Sequence, residues 1–454
     1  MSLNAAPILA NDRGWEFEPY RIQAVLALDV AGGLAERLAT ELPTHLERRV
    51  ATAIGPAWAL KTELASGTLR HEVCSHIATF SDAPPDDFPT GGDKLLLLAV
   101  RGTTDGYELV AREYDRLVQQ WGMPIRRTSR QPEMLAEQLF SLVWQTVAPV
   151  ARVEPDPADN RRVLVEPLAA ALPRASADAA FIREGDVFLP VMRRTTRGGE
   201  LVKDGVQVVP WTYVEAVEVK GEKIVGRVHS GTRQPFGARR KGRVEPLVIA
   251  LRADPDQTIL QLHSRTTEEK PLVGYEVFAQ QPGEEATNRV GASDREGRVS
   301  VPPGNARVQM LFVKNGGQLL ARLPVVPGAA REIPVPLPDD EMRLAAEARL
   351  AALREEVVDV VARRNILMAR VRHRIKAGDF DAAQNLLQEL DQLPGRSQFN
   401  LTLNTAARLL RSDDPQIQRR IDQLIQATQT VLTRYLDMRP VSQLHAEFRE
   451  AKRK

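Results

Sequence analysis

The chain has 454 residues, 43% of them hydrophobic and 26% charged, and its 61 basic residues nearly cancel 59 acidic ones to leave a formal charge of +2. That length exceeds a single hydrophobic core and suggests roughly three or four domains; the composition excludes a dominantly disordered chain, and the charge balance excludes an overall electrostatic drive toward nucleic acid. The lone cysteine, Cys74, excludes an intramolecular disulfide and an all-thiolate metal cage.

Residues 1–14 read as a flexible N-terminus or the remnant of a secretion signal. Ala5 to Ala10 is short and apolar and ends in a small residue, but no charged n-region precedes it. The expected setting is periplasmic or secreted, with the cytoplasm as the alternative. No apolar run reaches the ~18 residues of a membrane span. The longest, Leu95 to Val100, has the length of a buried strand.

The first module, 15–167, mixes two periodicities. Arg21 to Asp29 alternates as a strand does, Gly32-Gly33 breaks it, and Leu34, Leu38, Leu42, Leu46, Val50 and Ile54 then recur every four residues as on one helix face. Trp58 to Ala65 reads as a second strand. Lys94 to Arg101 and Tyr107 to Tyr114 flank Thr104-Asp105-Gly106, an Asp-Gly hairpin turn. Met134, Leu135, Leu139, Leu142, Val143 and Val147 mark a closing helix. A small α+β domain follows, with its helices on one face of the sheet.

Residues 180–253 read as all β. Ile182 to Val191 enters through a Gly turn, Trp211 to Val219 and Lys223 to Val228 straddle Lys220-Gly221-Glu222, and Val244 to Leu251 adds another strand. Short strands with short loops predict a small closed or half-closed, SH3-like barrel. In 258–338 the faces of Val273 to Ala279, Gly297 to Val301 and Val308 to Phe312 alternate, as expected of a β-sandwich.

From 339 to 454 the pattern turns helical. Asp339 and Asp340 predict a helix start near Glu341, and Leu350, Leu353, Val357, Val360, Leu367 and Val371 form a coiled-coil-like seam with Arg364 in one seam position. Asp379 opens a second helix, and Asp414-Pro415 opens the helix carrying Ile417, Ile421, Leu424 and Ile425. The fold class expected is thus multidomain α+β: a small α+β domain, a small β-barrel, a β-sandwich and a C-terminal helical bundle of five helices.

Five segments carry resemblances. FIREGDVFLPV, Phe181 to Val191, is similar to the opening strand of the barrel in FlgT-type flagellar envelope proteins, and the module before it looks like their companion domain or a TolB N-terminal-type unit. LVGYEVFA, SDREGRVSVPPG and LLARLPVVPG, between Leu272 and Gly328, are similar to carboxypeptidase regulatory-like and prealbumin-type sandwiches. GDFDAAQNLLQEL, from Gly378, resembles the second helix of a tetratricopeptide-like hairpin. Together the resemblances imply an extracytoplasmic accessory protein, and they supply no functional positions.

Catalytic templates find little to hold. His71, Cys74 and His76 are the only candidate metal ligands, and neither a strand nor a helix turns all three to one side. Asp86-Asp87, Asp339-Asp340 and Asp413-Asp414 adjoin prolines and read as turn or cap residues. Gly91-Gly92-Asp93-Lys94 superficially resembles a phosphate loop, but a strand follows it where such a loop needs a helix. Arg233, Arg239, Arg240, Lys241 and Arg243 form a basic cluster able to meet a polyanion, a nucleic acid or a cell-wall polymer. No cofactor is expected. The function expected is a non-enzymatic scaffold or adaptor for a protein partner. One alternative is a hydrolase or ligand-binding enzyme with a site at a module interface, where His71, Glu72 and His76 are the groups to converge; the other is polyanion binding through Arg239 to Arg243.

Overall fold

The computed structural model describes residues 14–454 other than 174, 176–180, 222, 233–234, 237–242, 253–256, 268–269, 281–285 and 454. The N-terminal domain holds β1 (Tyr20–Asp29), α1 (Gly33–Ala53), β2 (Trp58–Leu64), α2 (Gly67–His76), β3 (Lys94–Thr103), β4 (Gly106–Asp115), β5 (Gln120–Trp121), β6 (Ile125–Ser129) and α3 (Leu135–Thr146). The strand order is β2-β1-β3-β4-β5 with β6 also on β4; β1 runs parallel to both β2 and β3, and the rest pair antiparallel.

Alternation along these strands sorts two cores. Ile22, Ala24, Leu26, Leu96 and Leu98 face α1 and α3, whose stripes bury Leu38, Leu42, Leu46, Leu139 and Leu142. Val25, Ala27, Leu95, Leu97 and Ala99 face the other way, onto Val73, Cys74 and Ile77 of α2 and its C-terminus. The expectation of helices on one face is therefore corrected. A parallel strand pair at the centre needs cover on both sides, which explains the uninterrupted apolar run Leu95 to Val100.

The barrel comprises β7 (Val150–Pro155), β8 (Arg162–Pro167), β9 (Val187–Thr195), β10 (Leu201–Val208), β11 (Thr212–Lys220), β12 (Lys223–Ser230) and β13 (Arg243–Ala250). Closure follows the order β9-β11-β12-β8-β7-β13 and back to β9, leaving β10 outside on β9. Two of these strands, β7 and β8, lie within the span expected for the first module, so a boundary at 167 cuts through the closed sheet. Their short alternating runs look alike in either sheet, and only the long-range pairing assigns them.

The sandwich has strands β14 (Thr258–Ser264), β15 (Glu276–Gln280), β16 (Asn288–Ala292), β17 (Arg298–Val301), β18 (Gln309–Asn315), β19 (Gln318–Val325) and β20 (Glu332–Leu337). One sheet is β17-β14-β20 and the other β16-β15-β18-β19. Leu260, Leu262, Val299 and Val335 of the first meet Val277, Leu311, Val313 and Leu323 of the second in one core.

The helical end comprises α4 (Glu341–Lys376), α5 (Phe380–Asp391), α6 (Arg396–Leu409), α7 (Pro415–Tyr435) and α8 (Arg439–Arg453). α4 is its spine, and the seam predicted on it is filled from within the same chain. Leu350, Leu353 and Val357 pack on Phe399, Leu403 and Leu432 of α6 and α7, whereas Leu367 and Val371 pack on Leu387 of α5 and Leu444 of α8. Arg364, the odd seam residue, is buried and donates from Nη2 to the Asp437 carbonyl, a bond that holds the turn between α7 and α8 against the spine.

Leu403 is fully buried in the upper of these two clusters. Leu403→Ala should destabilise the helical end by about 2–5 kcal/mol through lost burial and a residual cavity. A lowered urea midpoint for the helical circular-dichroism signal is the check, and an unchanged midpoint would refute this packing.

Candidate functional site

The most unusual chemistry lies where the first domain joins the barrel. Counting outward from the two-residue turn Thr104-Asp105, the β3–β4 register sets Lys94 opposite Asp115 and Leu96 opposite Glu113. Residues two apart on a strand share a face, so Lys94, Asp115 and Glu113 all project toward the side of α1 and α3. All three are buried, Lys94 completely. The Lys94 ammonium lies 2.6 Å from Asp115 Oδ2 and 3.3 Å from Glu113 Oε2, and 5.6 Å from the centre of the Tyr20 ring.

The other oxygen of each carboxylate is bonded too. Asp115 Oδ1 accepts from the backbone N–H groups of Leu117 and Val118 at 2.9 and 3.1 Å. Glu113 Oε1 accepts from Ala148 N–H at 2.9 Å, in the connection between α3 and β7. The Tyr20 hydroxyl donates to Val150 O at 3.1 Å and accepts from Val150 N–H at 2.9 Å. The charge cluster thus ties β1, β3 and β4 to the first residues of the barrel. Burial drives the Glu113 carboxyl up to about 7, with the Lys94 charge opposing. Burial alone would depress Lys94, but the carboxylates of Asp115 and Glu113 outweigh it and hold its ammonium above the usual range.

The Gly91-Gly92-Asp93-Lys94 segment serves this joint. Gly92 has φ +79°, and a Cβ there would come within 2.6 Å of Arg21 O, so glycine alone allows the close approach. Asp93 takes two bonds from the Arg21 guanidinium, at 2.8 and 3.2 Å, and a third from its backbone N–H. An aromatic group closes the same junction: Phe181, at the entry to the barrel, stacks on Trp58 at 5.5 Å and lies 5.9 Å from Trp144.

Beside this junction, residues of the first domain, the barrel and the sandwich line a cleft of about 1260 Å³. Six arginines line it, Arg112, Arg126, Arg183, Arg252, Arg307 and Arg331, against two carboxylates, Asp186 and Glu332. Asp186 is 2.8 Å from Arg307, and Glu332 is 3.5 Å from Arg298. Arg112 is committed to the Gly122 and Ile77 carbonyls at 2.8 and 3.1 Å. Arg252 donates weakly to Val147 O at 3.4 Å, and its buried Nε has no acceptor among the described residues. Arg126 is 3.9 Å from Glu108, beyond hydrogen-bond distance. The cleft is rich in guanidinium donors and poor in groups that exchange protons near neutral pH.

The sequence-derived candidates fall elsewhere. On α2, Cys74 is buried in the apolar layer and burial raises its thiol, whereas His71 and His76 are exposed. The helix turns Cys74 inward and both imidazoles outward, so His71, Cys74, His76 and Glu72 do not converge, and no metal-binding group of His, Cys, Asp and Glu occurs among the described residues. In the basic cluster, Arg233, Arg239, Arg240 and Lys241 lie outside the described residues, and Arg243 begins β13 facing Thr195. Asp414 caps α7, its Oδ1 accepting from Gln416 N–H at 2.9 Å. Asp340 occupies the cap position of α4 but gives its carboxylate to Arg343 instead. No described helix is long and apolar enough to cross a membrane.

No family model matches the chain, and no curated protein matches it. Among solved structures, TolB from Acinetobacter baumannii is 11% identical over 68% of this chain and 95% of that one, with a TM-score of 0.18. A variant of BcpA, the major pilin subunit of Bacillus cereus, is 11% identical over 55% of this chain and 71% of that one, with a TM-score of 0.13. At such scores the likeness is vague and carries no inference.

Two substitutions probe the buried cluster. Lys94→Met leaves Asp115 buried without its countercharge and should cost about 3–5 kcal/mol in urea unfolding followed by tryptophan fluorescence. Glu113 holds its proton to about pH 7 when folded but releases it near 4.5 when unfolded. Between those values the folded state binds more protons, so this group's contribution to stability declines as pH rises through the window. Glu113→Gln cannot titrate and should flatten that decline; identical slopes for the two proteins would contradict the assignment.

Proposed function

We propose that the chain is a non-enzymatic scaffold or adaptor, periplasmic or secreted, that binds another protein through its β modules and its helical end. The observation that carries this reading is the construction of the junctions. Between the first domain and the barrel the apolar core is continuous, running from Leu96 and Leu142 to Val165 and Val214. Between barrel and sandwich, Val187, Tyr213, Val308 and Val326 form a small core beside the Asp186–Arg307 pair.

Between sandwich and helices the contacts are charged. Arg265 grips the buried Asp414 with two bonds of 2.7 and 2.8 Å, Lys270 meets Asp339 at 2.5 Å and Glu341 at 2.9 Å, and Tyr275 Oη accepts from Asp340 N–H at 2.9 Å. Burial works to raise the Asp414 carboxyl, yet its bonds from Arg265 and from the start of α7 keep it below the usual carboxylate range. Junctions packed in this way hold surfaces at set separations, and a partner that touches several modules avoids the entropy of ordering them.

The carboxylates buried at these junctions, Glu113, Asp115, Asp340 and Asp414, are occupied by structural bonds, which supports binding over turnover. The likeness of the Phe181 to Val191 segment to FlgT-type envelope barrels, of the first module to TolB N-terminal-type units, and of the sandwich to regulatory-like stalks supports the extracytoplasmic setting. A second reading, a ligand-binding site at a module interface, is favoured by the arginine-lined cleft.

At the helical end, Leu401 and Leu409 of α6 are 69% and 72% exposed. Crosslinking of the tagged full chain in the envelope fraction of its host should recover a protein neighbour. The pair Leu401→Glu and Leu409→Glu should lower that recovery by about tenfold, as expected when central apolar contacts of an interface are removed. Recovery of no protein above background would remove the scaffold reading.

A further inference from the structure

The cleft between the first domain, the barrel and the sandwich has a charge composition that its own residues leave unbalanced. Arg183 and Arg331 are exposed in its wall, and no acceptor among the described residues bonds either guanidinium. The buried Nε of Arg252 likewise lacks an acceptor. A buried donor left without a partner is costly, and the fork of donors on an arginine matches a carboxylate in geometry. The remaining wall is mixed: Met123 and Ile125 are half-buried, Pro303 is exposed, Gln145 and Gln257 are polar, and Phe181, Val326 and Pro327 are buried behind them.

Size and shape narrow the ligand. At about 1260 Å³ the cleft exceeds the roughly 300–1,000 Å³ of small-molecule pockets and suits an extended chain. A single-stranded nucleic acid needs free aromatic faces on which bases stack. Here Phe181 is stacked on Trp58 with an interplanar angle of 16°, and Trp144 leans on both at 5.6 and 5.9 Å, so the rings are spent on one another. An extended peptide with acidic residues alternating with small apolar ones fits the donors and asks nothing of the buried rings.

We infer that this cleft seats an acidic, extended segment of a protein partner, its carboxylates held by Arg183, Arg252 and Arg331. The inference rests on the scaffold reading and names the chemistry of the partner at one site. Arg126 adds positive potential beside them, whereas Arg307 is paired with Asp186. The segment bridges three modules, so its binding also depends on their packed junctions.

The test is fluorescence anisotropy on the full chain with a fluorescein-labelled peptide alternating Glu and Ala, with a Lys-Ala peptide and a labelled oligothymidylate for comparison. The Glu-Ala peptide should bind, more weakly as salt rises, and the Lys-Ala peptide should not. The pair Arg183→Ala and Arg331→Ala should weaken binding by about tenfold or more. The pair Arg183→Glu and Arg331→Glu, which alters only exposed positions, should exchange the preference toward the Lys-Ala peptide. Equal binding of the Glu-Ala peptide to wild type and both variants overturns the inference, as does oligothymidylate binding that is tighter than the peptide and equally sensitive to the variants. Crosslinking with the Ala variant separates the two readings. If a protein neighbour is still recovered at the helical end while the peptide fails to bind wild type, the cleft assignment falls and the scaffold reading stands; if no neighbour is recovered with wild type either, both fall.

Discussion

A lysine with no solvent exposure, flanked by two carboxylates, is the constraint on which the N-terminal half of the molecule depends. An isolated buried ammonium is so costly that the Lys94 site depends on Asp115 as its countercharge, with Glu113 as a second, longer bond. Their placement in turn requires the β3–β4 register, since a slip of β4 by one residue would send Glu113 and Asp115 to the face opposite Lys94. It also requires the connection after α3, because Ala148 N–H completes the bonding of Glu113 and Val150 closes the pair of bonds to Tyr20. Two domains are thereby obliged to assemble in one register. Apolar burial supplies most of the stabilisation at this junction, and the charges select which arrangement receives it.

The same division of labour recurs at the other end. Asp414 could cap α7 with any orientation of the sandwich, but its second role, receiving both forks of Arg265, ties that helix start to the end of β14. Asp340 gives up a side-chain cap altogether to bind Arg343, whose Nη2 reaches Asn315 O on the sandwich at 3.0 Å. Helix starts are natural sites for such joints, because they gather unpaired N–H groups and favour negative charge. Between these two ends lies the cleft, whose walls are set by the junctions and whose arginines exceed its acids.

Much of the architecture was legible because it is local. The period of Leu38, Leu42, Leu46 and Val50, the Asp-Gly turn before β4 and the Asp414-Pro415 start each act within a few residues, and each appears where the pattern places it. The assignment of β7 and β8 was not legible, since their partners β12 and β13 are distant in sequence and a short alternating strand fits either sheet. The cover on both sheet faces had a sign in the unbroken run Leu95 to Val100, which an alternating, one-sided strand would not carry. The Lys94 cluster had a sign too: counting outward from Thr104-Asp105 places Lys94 opposite Asp115, with Glu113 two residues along on the same face. What the pattern lacked was the burial of that end of the sheet, which comes from Tyr20 and from the connection into the barrel. The arginines of the cleft come from three modules and share no local pattern at all.

Native-state hydrogen exchange at the Ala148 and Val150 amides tests the central claim most directly. Both amides end on side chains of the first domain although they belong to the entry of the barrel, so their protection reports the junction itself. If the buried charge cluster binds the two domains into one cooperative unit, both amides should exchange only through the opening that releases the core strands, at the same free energy as the amides of Leu96 and Leu98. Exchange of Ala148 and Val150 at the rates of an exposed connection, while β3 stays protected, would show two independent domains joined by a loose link and would contradict the account.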